Sequence, residues 1–173
     1  ITKFNDIMAV DKDHKRFSSD AGITLTERQA DFTTPNFISM DPPKHDVQRK
    51  AVTGVVAPMN LSKLEPIIRQ RAVTILESLP HGTQFNWVDA VSIELTTQML
   101  ATLFDFPFED RHKLPYWSDM ATSLPEIAGG DGDNDERTRA LTECLETFTA
   151  LWHQRKHNPP GTMDLISMLA TNP

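Results

Sequence analysis

Two side chains stand out for what they could hold. His45 and Arg49 lie four residues apart in the run Met40-Asp41-Pro42-Pro43-Lys44-His45-Asp46-Val47-Gln48-Arg49-Lys50, a spacing that stacks them on one face of a helix. Asp41 is a natural N-cap, and Pro42 suits the first turn, where its missing N–H would have no intrahelical partner. A helix is therefore expected from Asp41, with Gln48 and Val52 on the same face as His45 and Arg49. A charged His beside an Arg is mildly unfavourable in an isolated helix, so the pair makes more sense with something anionic lying across both. One acid group or a pair of them is the expected ligand.

Other constellations read more plainly. His153 and His157 have the i, i+4 spacing of a metal pair, but they fall in the last turn of a helix, where cations are favoured, and no third ligand is evident. Asp131-Gly132-Asp133 has the start of a calcium loop without the bidentate acid at its far end, so a solvated turn is expected there. Trp87, Trp117 and Trp152 read as core or rim residues. No Ser/His/Asp nucleophile arrangement and no phosphate-binding Gly-rich loop is present.

The elements that must position His45 and Arg49 follow from the pattern around them. The chain has 173 residues, enough to bury a core, and carries 17 basic against 24 acidic residues for a net charge of −7. Without a basic run, that balance argues against a nucleic-acid partner. The longest apolar-rich stretch, 95–106, is broken by Thr, Gln and Asp and falls short of the ~20 residues that span a bilayer, so no membrane span is expected. No signal-peptide pattern is read in these residues. Cys144, the sole cysteine, cannot form an internal disulfide, which fits a cytoplasmic location.

Residues 1–4 alternate like a strand end, and Asn5-Asp6 then caps a short helix. A short extended piece over 17–25 and a long loop over 26–36 follow, and loops of that length are often functional. Ser62-Lys63-Leu64-Glu65 has the capping-box pattern ahead of a stripe of Leu64, Ile67, Ile68, Ala72, Ile75, Leu76 and Leu79. Phe85-Asn86-Trp87-Val88 alternates like a short strand, and Asp89 is placed to cap an apolar helix over 93–104 that Pro107 ends. A shorter helix over 109–121 presents Leu114, Trp117 and Met120, with Pro115 either near its start or at a bend. After a turn-rich loop the longest helix is expected over 135–156, with the stripe Leu141, Cys144, Leu145, Phe148, Leu151 and Trp152 and charges that suit both ends of its dipole. One more helix begins at Met163. The fold class is mainly α with a small β component at the front. Because it begins at Ile1 without Met and stops after a short helical pattern, the chain reads as an incomplete single domain, a piece of a longer protein.

The Asp41-Pro42-Pro43-Lys44-His45 to Arg49 run, followed by Leu64-Glu65-Pro66, resembles the early helical region of the haem-thiolate monooxygenases, the cytochromes P-450. The resemblance covers essentially the whole chain in order. Phe37-Ile38-Ser39-Met40, Phe85-Asn86-Trp87-Val88-Asp89 and the run from Met99 to Pro107 are most similar to the soluble bacterial medium-chain alkane and fatty-acid hydroxylases. It implies the N-terminal part of the P-450 fold, haem b as cofactor, and His45 and Arg49 as the pair that binds the haem propionates. It further implies that Phe37, Ile38 and Leu124 touch substrate, with 124–132 as part of a substrate roof. The implied reaction is hydroxylation of a medium-chain alkane or fatty acid at or near the terminal carbon, using O₂ and electrons from NAD(P)H. Those electrons would arrive through a ferredoxin reductase and a ferredoxin that docks near Lys44, Arg49 and Lys50.

The axial thiolate, the oxygen-activating acid and Thr, and the E-x-x-R pair of that family all fall outside this chain, so no catalytic residue is expected within it. Cys144, on the helical stripe of Glu143-Cys144-Leu145-Glu146 and without a Gly-rich setting, reads as a structural thiol rather than an iron ligand. The rival from another class is a non-enzymatic helical ligand-binding or regulatory domain in which His45 and Arg49 hold a carboxylate.

Overall fold

The computed structural model describes residues 1–22, 36–54, 56–122, 134–157 and 164–171. They form two units, Ile1–Gly54 and Val55–Pro173.

In the first unit, α1 is Phe4–Asp11. The expected strand at residues 1–4 does not form: Lys3 is the extended N-cap of α1, and its carbonyl accepts from the Ile7 N–H at 3.0 Å. An isolated four-residue alternation has no ladder to satisfy its backbone, whereas the helix satisfies it locally. A 3-10 turn at Phe37–Ser39 is capped by Asn36, whose side chain accepts from the Ser39 N–H. Helix α2 is Lys44–Thr53. It begins three residues later than its sequence suggests, and the Asp41 carboxylate, instead of capping it, accepts from the Ser18 hydroxyl and, at 3.0 Å, from the Ser19 N–H. Among the described residues of this unit no apolar side chain is buried; Phe4 is 73% exposed and Val47 70%. Polar contacts therefore carry its local order.

The second unit is a helical assembly with one apolar core. Helix α3, Pro58–Glu77, starts with proline in its first turn, four residues ahead of the expected capping box. Ser62 consequently lies inside the helix, its hydroxyl donating to the Met59 carbonyl at 2.8 Å. The second expected strand does not form either: Phe85 and Asn86 have no regular structure, and the chain turns helical after them. Trp87 is already in helical conformation, and a π-helical turn at Val88–Ile93 leads directly into α4, Glu94–Phe104. Asn86, rather than Asp89, satisfies this start: its side-chain oxygen accepts from the Val88 N–H at 3.0 Å, its carbonyl accepts from the Ala90 N–H, and its side-chain amide donates to Asp89. No strand occurs among the described residues, so the small β component expected from the alternation is not seen.

Helix α4 ends at Asp105, which adopts the left-handed conformation at φ 47°. Helix α5, Lys113–Thr122, follows a 3-10 turn at Phe108–Asp110 and places Pro115 in its first turn, where proline costs no hydrogen bond. Helix α6 is Asn134–His157 and α7 is Leu165–Thr171. Ala101, Phe106, Leu114, Trp117, Ala140, Leu151 and Ile166 form the buried core. The α6 stripe is centred on Ala140, Cys144, Phe148 and Leu151, while Leu145 and Trp152, expected inside, are 55% and 39% exposed. Phe106 and Phe148 are 5.8 Å apart, and Trp117 meets both edge-on at 6.0 and 6.2 Å.

Charged side chains brace this core. Arg155 of α6 donates to the Asp105 carbonyl at 2.9 Å and pairs with its carboxylate at 2.7 Å. The Trp117 indole N–H donates to Glu143 at 3.2 Å, and Lys113 pairs with the same carboxylate. Glu94 accepts from Arg111 at 2.9 Å and from Gln98 at 2.6 Å. Burial pushes the Glu94 carboxyl up, but the Gln98 and Arg111 hydrogen bonds outweigh it and the group is held below its ordinary value.

Two predictions follow from this packing. Trp117→Ala removes a side chain that is 3% exposed and leaves a void among three helices, and should destabilise the fold by about 3–5 kcal/mol; urea unfolding of variant and parent measures it, and a loss under about 1 kcal/mol would mean that the site collapses around the gap. Glu94 is depressed in the folded state, so its contribution is present above the unfolded carboxyl value and is lost as pH falls through the lower folded one. Glu94→Gln should accordingly be less stable than the parent at neutral pH and converge with it on acidification, as read from thermal midpoints across pH; parallel curves would refute the assignment.

Candidate functional site

The residues singled out by the sequence meet on α2 and the turn ahead of it. His45 and Arg49 lie one turn apart on α2. The His45 ring is held from two sides: Phe37 packs against it edge-on, with centroids 6.1 Å apart at 66°, and its Nδ1 lies 2.8 Å from the Asp46 carboxylate. An ionised carboxylate only accepts, so Nδ1 donates in this contact and Nε2 is left for another partner. The His45 side chain is 28% exposed. Arg49 is exposed, and its guanidinium makes no ion pair or hydrogen bond with another described residue. A fixed imidazole whose free Nε2 donates when the ring is protonated, and a guanidinium with its donors unused, form a donor set for carboxylate groups.

Phe37 is half-buried, through its contact with His45, and Ile38 beside it is 54% exposed. Leu124 and the segment 124–132 lie outside the described residues, as do Asp131 and Asp133. Sequence reasoning missed the partners of Asp41. The Ser18 hydroxyl and the Ser19 N–H hold the Asp41 carboxyl below its ordinary value against the opposing effect of burial, and His14 and His45 act in the same direction. The turn-forming Ser18-Ser19-Asp20 triplet was the available signal, but nothing in its spacing pointed 22 residues ahead.

Two clefts of the second unit are lined by described residues, and neither includes a residue expected to bind. One of about 460 Å³ lies between α3, the end of α4 and the start of α7, and mixes Lys63 and Arg71 with Asp105 and Asp164. The other, about 320 Å³, lies between α4 and α5 and is lined by Ile93, Thr96, Leu100 and Leu114 among others. At the end of α6, His157 Nδ1 donates to the His153 carbonyl at 2.8 Å, which makes it a helix-end cap. Among the described residues no three His, Cys, Asp or Glu side chains converge on a point that could hold a metal ion. Cys144 is half-buried, and burial, followed by the Glu143 charge, pushes its thiol up, away from the thiolate that binds iron. Among the described residues, no helix is long and apolar enough to cross a membrane.

No protein-family model matches the chain. Solved structures and curated proteins do. CYP153D17 from Sphingomonas sp. PAMC 26605 superposes with a TM-score of 0.84 at 40% identity, over 97% of this chain and 42% of that one. The 153-type cytochrome P-450 from Novosphingobium aromaticivorans gives a TM-score of 0.79 at 38% identity, over 95% of this chain and 41% of that one. The erythromycin C-12 hydroxylase of Saccharopolyspora erythraea is 30% identical over 168 residues, which are 95% of this chain and 40% of that protein. The chain thus spans about two fifths of the length of the relatives it matches. Along nearly its whole length the helical chain matches the N-terminal part of the cytochrome P-450 fold, and the solved structures it resembles here are cytochromes P-450.

Proposed function

We propose that this chain supplies the propionate anchor and part of the substrate-facing wall of a b-type haem monooxygenase. The observation that carries the reading is the donor pair on α2: His45, held by Phe37 and Asp46 with Nε2 to spare, one turn from an Arg49 that has no partner among the described residues. Two carboxylates on one rim of a flat ligand fit two such donors. Arg49 would bind its propionate through parallel N–H donors, and His45 through Nε2. Because Nδ1 is already donating to Asp46, donation from Nε2 as well requires the doubly protonated ring.

When bound, haem would supply the one-electron and O₂ chemistry, with its cysteine ligand outside these residues. The chain's own part is to bind, orient and enclose. Phe37 and Ile38, directly ahead of α2, would face a hydrocarbon substrate, with Leu124 contributing from a second segment. The substrate class that fits the resemblance is a medium-chain alkane or fatty acid, hydroxylated at or near its terminal carbon. Supporting it are Phe37-Ile38-Ser39-Met40, Phe85-Asn86-Trp87-Val88-Asp89 and the run from Met99 to Pro107, whose residues resemble those of the soluble bacterial alkane and fatty-acid hydroxylases. Lys44 and Lys50, exposed on α2 on either side of Arg49, would supply positive charge suited to an acidic ferredoxin that takes NAD(P)H electrons from its reductase. A protein of this kind would work in the cytoplasm.

In the full-length protein, Arg49→Ala should weaken haem retention by roughly tenfold, the scale of one lost charge-assisted bond, with unchanged helix content by circular dichroism. Haem per protein after dialysis against a haem acceptor measures this, and equal occupancy in the two proteins would remove the propionate role. The reaction itself is tested by the reduced, carbon-monoxide-bound spectrum and by product analysis with octane or dodecanoic acid. A parent protein that takes up no haem would sink the monooxygenase reading.

A further inference from the structure

We propose that Asp41 is a positioning residue: its carboxylate ties the turn at Ser18 and Ser19 to the lead-in of α2, and so fixes Phe37 and Ile38 relative to His45 and Arg49. Its two oxygens have separate partners, Oδ2 accepting from the Ser18 hydroxyl and Oδ1 from the Ser19 N–H, 23 and 22 positions back along the chain. The far side of the tie is itself braced. The Ser18 hydroxyl oxygen accepts from the Asp20 N–H at 3.1 Å, and the Ser19 carbonyl accepts from the Gly22 N–H at 3.0 Å. Ser18 is thus donor to Asp41 and acceptor from Asp20 at once, an alignment in which each bond polarises the next.

On the near side, Asp41 follows Phe37 by four positions, and that short stretch is closed by the Ser39 N–H to Asn36 carbonyl bond (3.1 Å) and the Met40 N–H to Phe37 carbonyl bond (3.3 Å). The Asp41 carbonyl accepts from the His45 N–H at 3.1 Å. One residue therefore holds the 18–19 turn with its side chain and the first turn of α2 with its backbone. Because no apolar side chain is buried among the described residues of this unit, no core duplicates the tie. Closing a loop of this length carries an entropic cost that grows only slowly with its size, and two bonds to an ionised carboxylate are of the order needed to offset it. The local alternative, a side-chain cap on α2, is absent: no side chain caps that helix.

The consequence for ligand binding rests on the proposed monooxygenase function, in which Phe37 and Ile38 face substrate while His45 and Arg49 hold the cofactor. The experiment compares the full-length protein with its Asp41→Ala and Ser18→Ala variants in amide hydrogen exchange, haem content and dodecanoic acid affinity, the last from the haem spin-state shift. In Asp41→Ala the amides of Ser19, Asp20, Ser39 and Met40 should all exchange about tenfold faster, and in Ser18→Ala by a smaller factor in the same direction. Haem per protein should stay at the parent level while the dissociation constant for dodecanoic acid rises about threefold, the signature of a misplaced wall around an intact anchor. Faster exchange confined to Ser19 and Asp20, or unchanged exchange throughout, would overturn the positioning role. Unchanged dodecanoic acid affinity with faster exchange at Ser39 and Met40 would overturn its link to substrate, and parallel loss of haem would make Asp41 part of the anchor instead. If Asp41→Ala does not fold, Ser18→Ala alone decides. A parent protein without haem would refute the monooxygenase reading while the exchange data still decide the tie.

Discussion

Four aromatic rings set the second unit. Phe104 and Phe106 at the end of α4 pack with Phe148 of α6 at 5.5 and 5.8 Å, and Trp117 of α5 closes on Phe106 and Phe148. Edge-to-face geometry dominates these contacts, and it defines direction as well as distance, so three helices are constrained in rotation as well as in separation. The charged groups around the cluster then act as fasteners on an arrangement that burial has already chosen. Arg137 of α6 illustrates the division of labour: it donates to the Met120 and Ala121 carbonyls at 2.9 and 3.3 Å, satisfying the last turn of α5 without contributing to the core.

The first unit obeys the opposite economy. Its described residues bury no apolar side chain, yet its polar groups are specific in their pairings, from Asp13 with Arg16 to Asp41 with Ser18 and Ser19. Hydrogen bonds exposed to water are individually worth little, so a segment organised this way gains much from any large ligand or partner surface laid against it. The exposure of Ile38 and Val47, at 54% and 70%, points the same way. A flat, apolar, dianionic cofactor would supply what the segment lacks, namely area to bury and charges for its cations.

Legibility from sequence tracked the range of the forces involved. The spacing of Leu114 and Trp117 identified the buried side of α5, and the His45 and Arg49 spacing placed both on one face of α2. Alternation at residues 1–4 and 85–88 misled, because period-two patterns of four residues cost a helix nothing and a strand needs a neighbour that no local pattern can provide. Asp41 misled differently: the residue type was right for a cap, but a competing pair of donors in the 18–19 turn captured the carboxylate. Asn86 captured the role expected of Asp89 for a similar reason, being placed to reach the Val88 N–H. The exposure of Leu145 and Trp152 shows the last limit, since a stripe tells which residues are apolar and not how wide the covering surface is.

Asp105 shows how a single position can be contested by two kinds of physics. Its φ of 47° ends α4 in a conformation that glycine enters at no steric cost, so backbone preference alone would place glycine there. Its carboxylate, however, faces Arg155, whose side chain is 11% exposed and whose Nε is buried without a hydrogen-bond partner. Exchanging Asp105 for glycine would relax the turn and leave the Arg155 guanidinium only the residue-105 carbonyl, without a counter-charge, whereas asparagine would keep a side-chain acceptor and tolerate the left-handed backbone but likewise forgo the neutralising charge. The position is therefore narrow in both directions, and a drift at residue 105 becomes tolerable only together with a change at residue 155. In evolutionary terms these two sites, fifty positions apart, should behave as one.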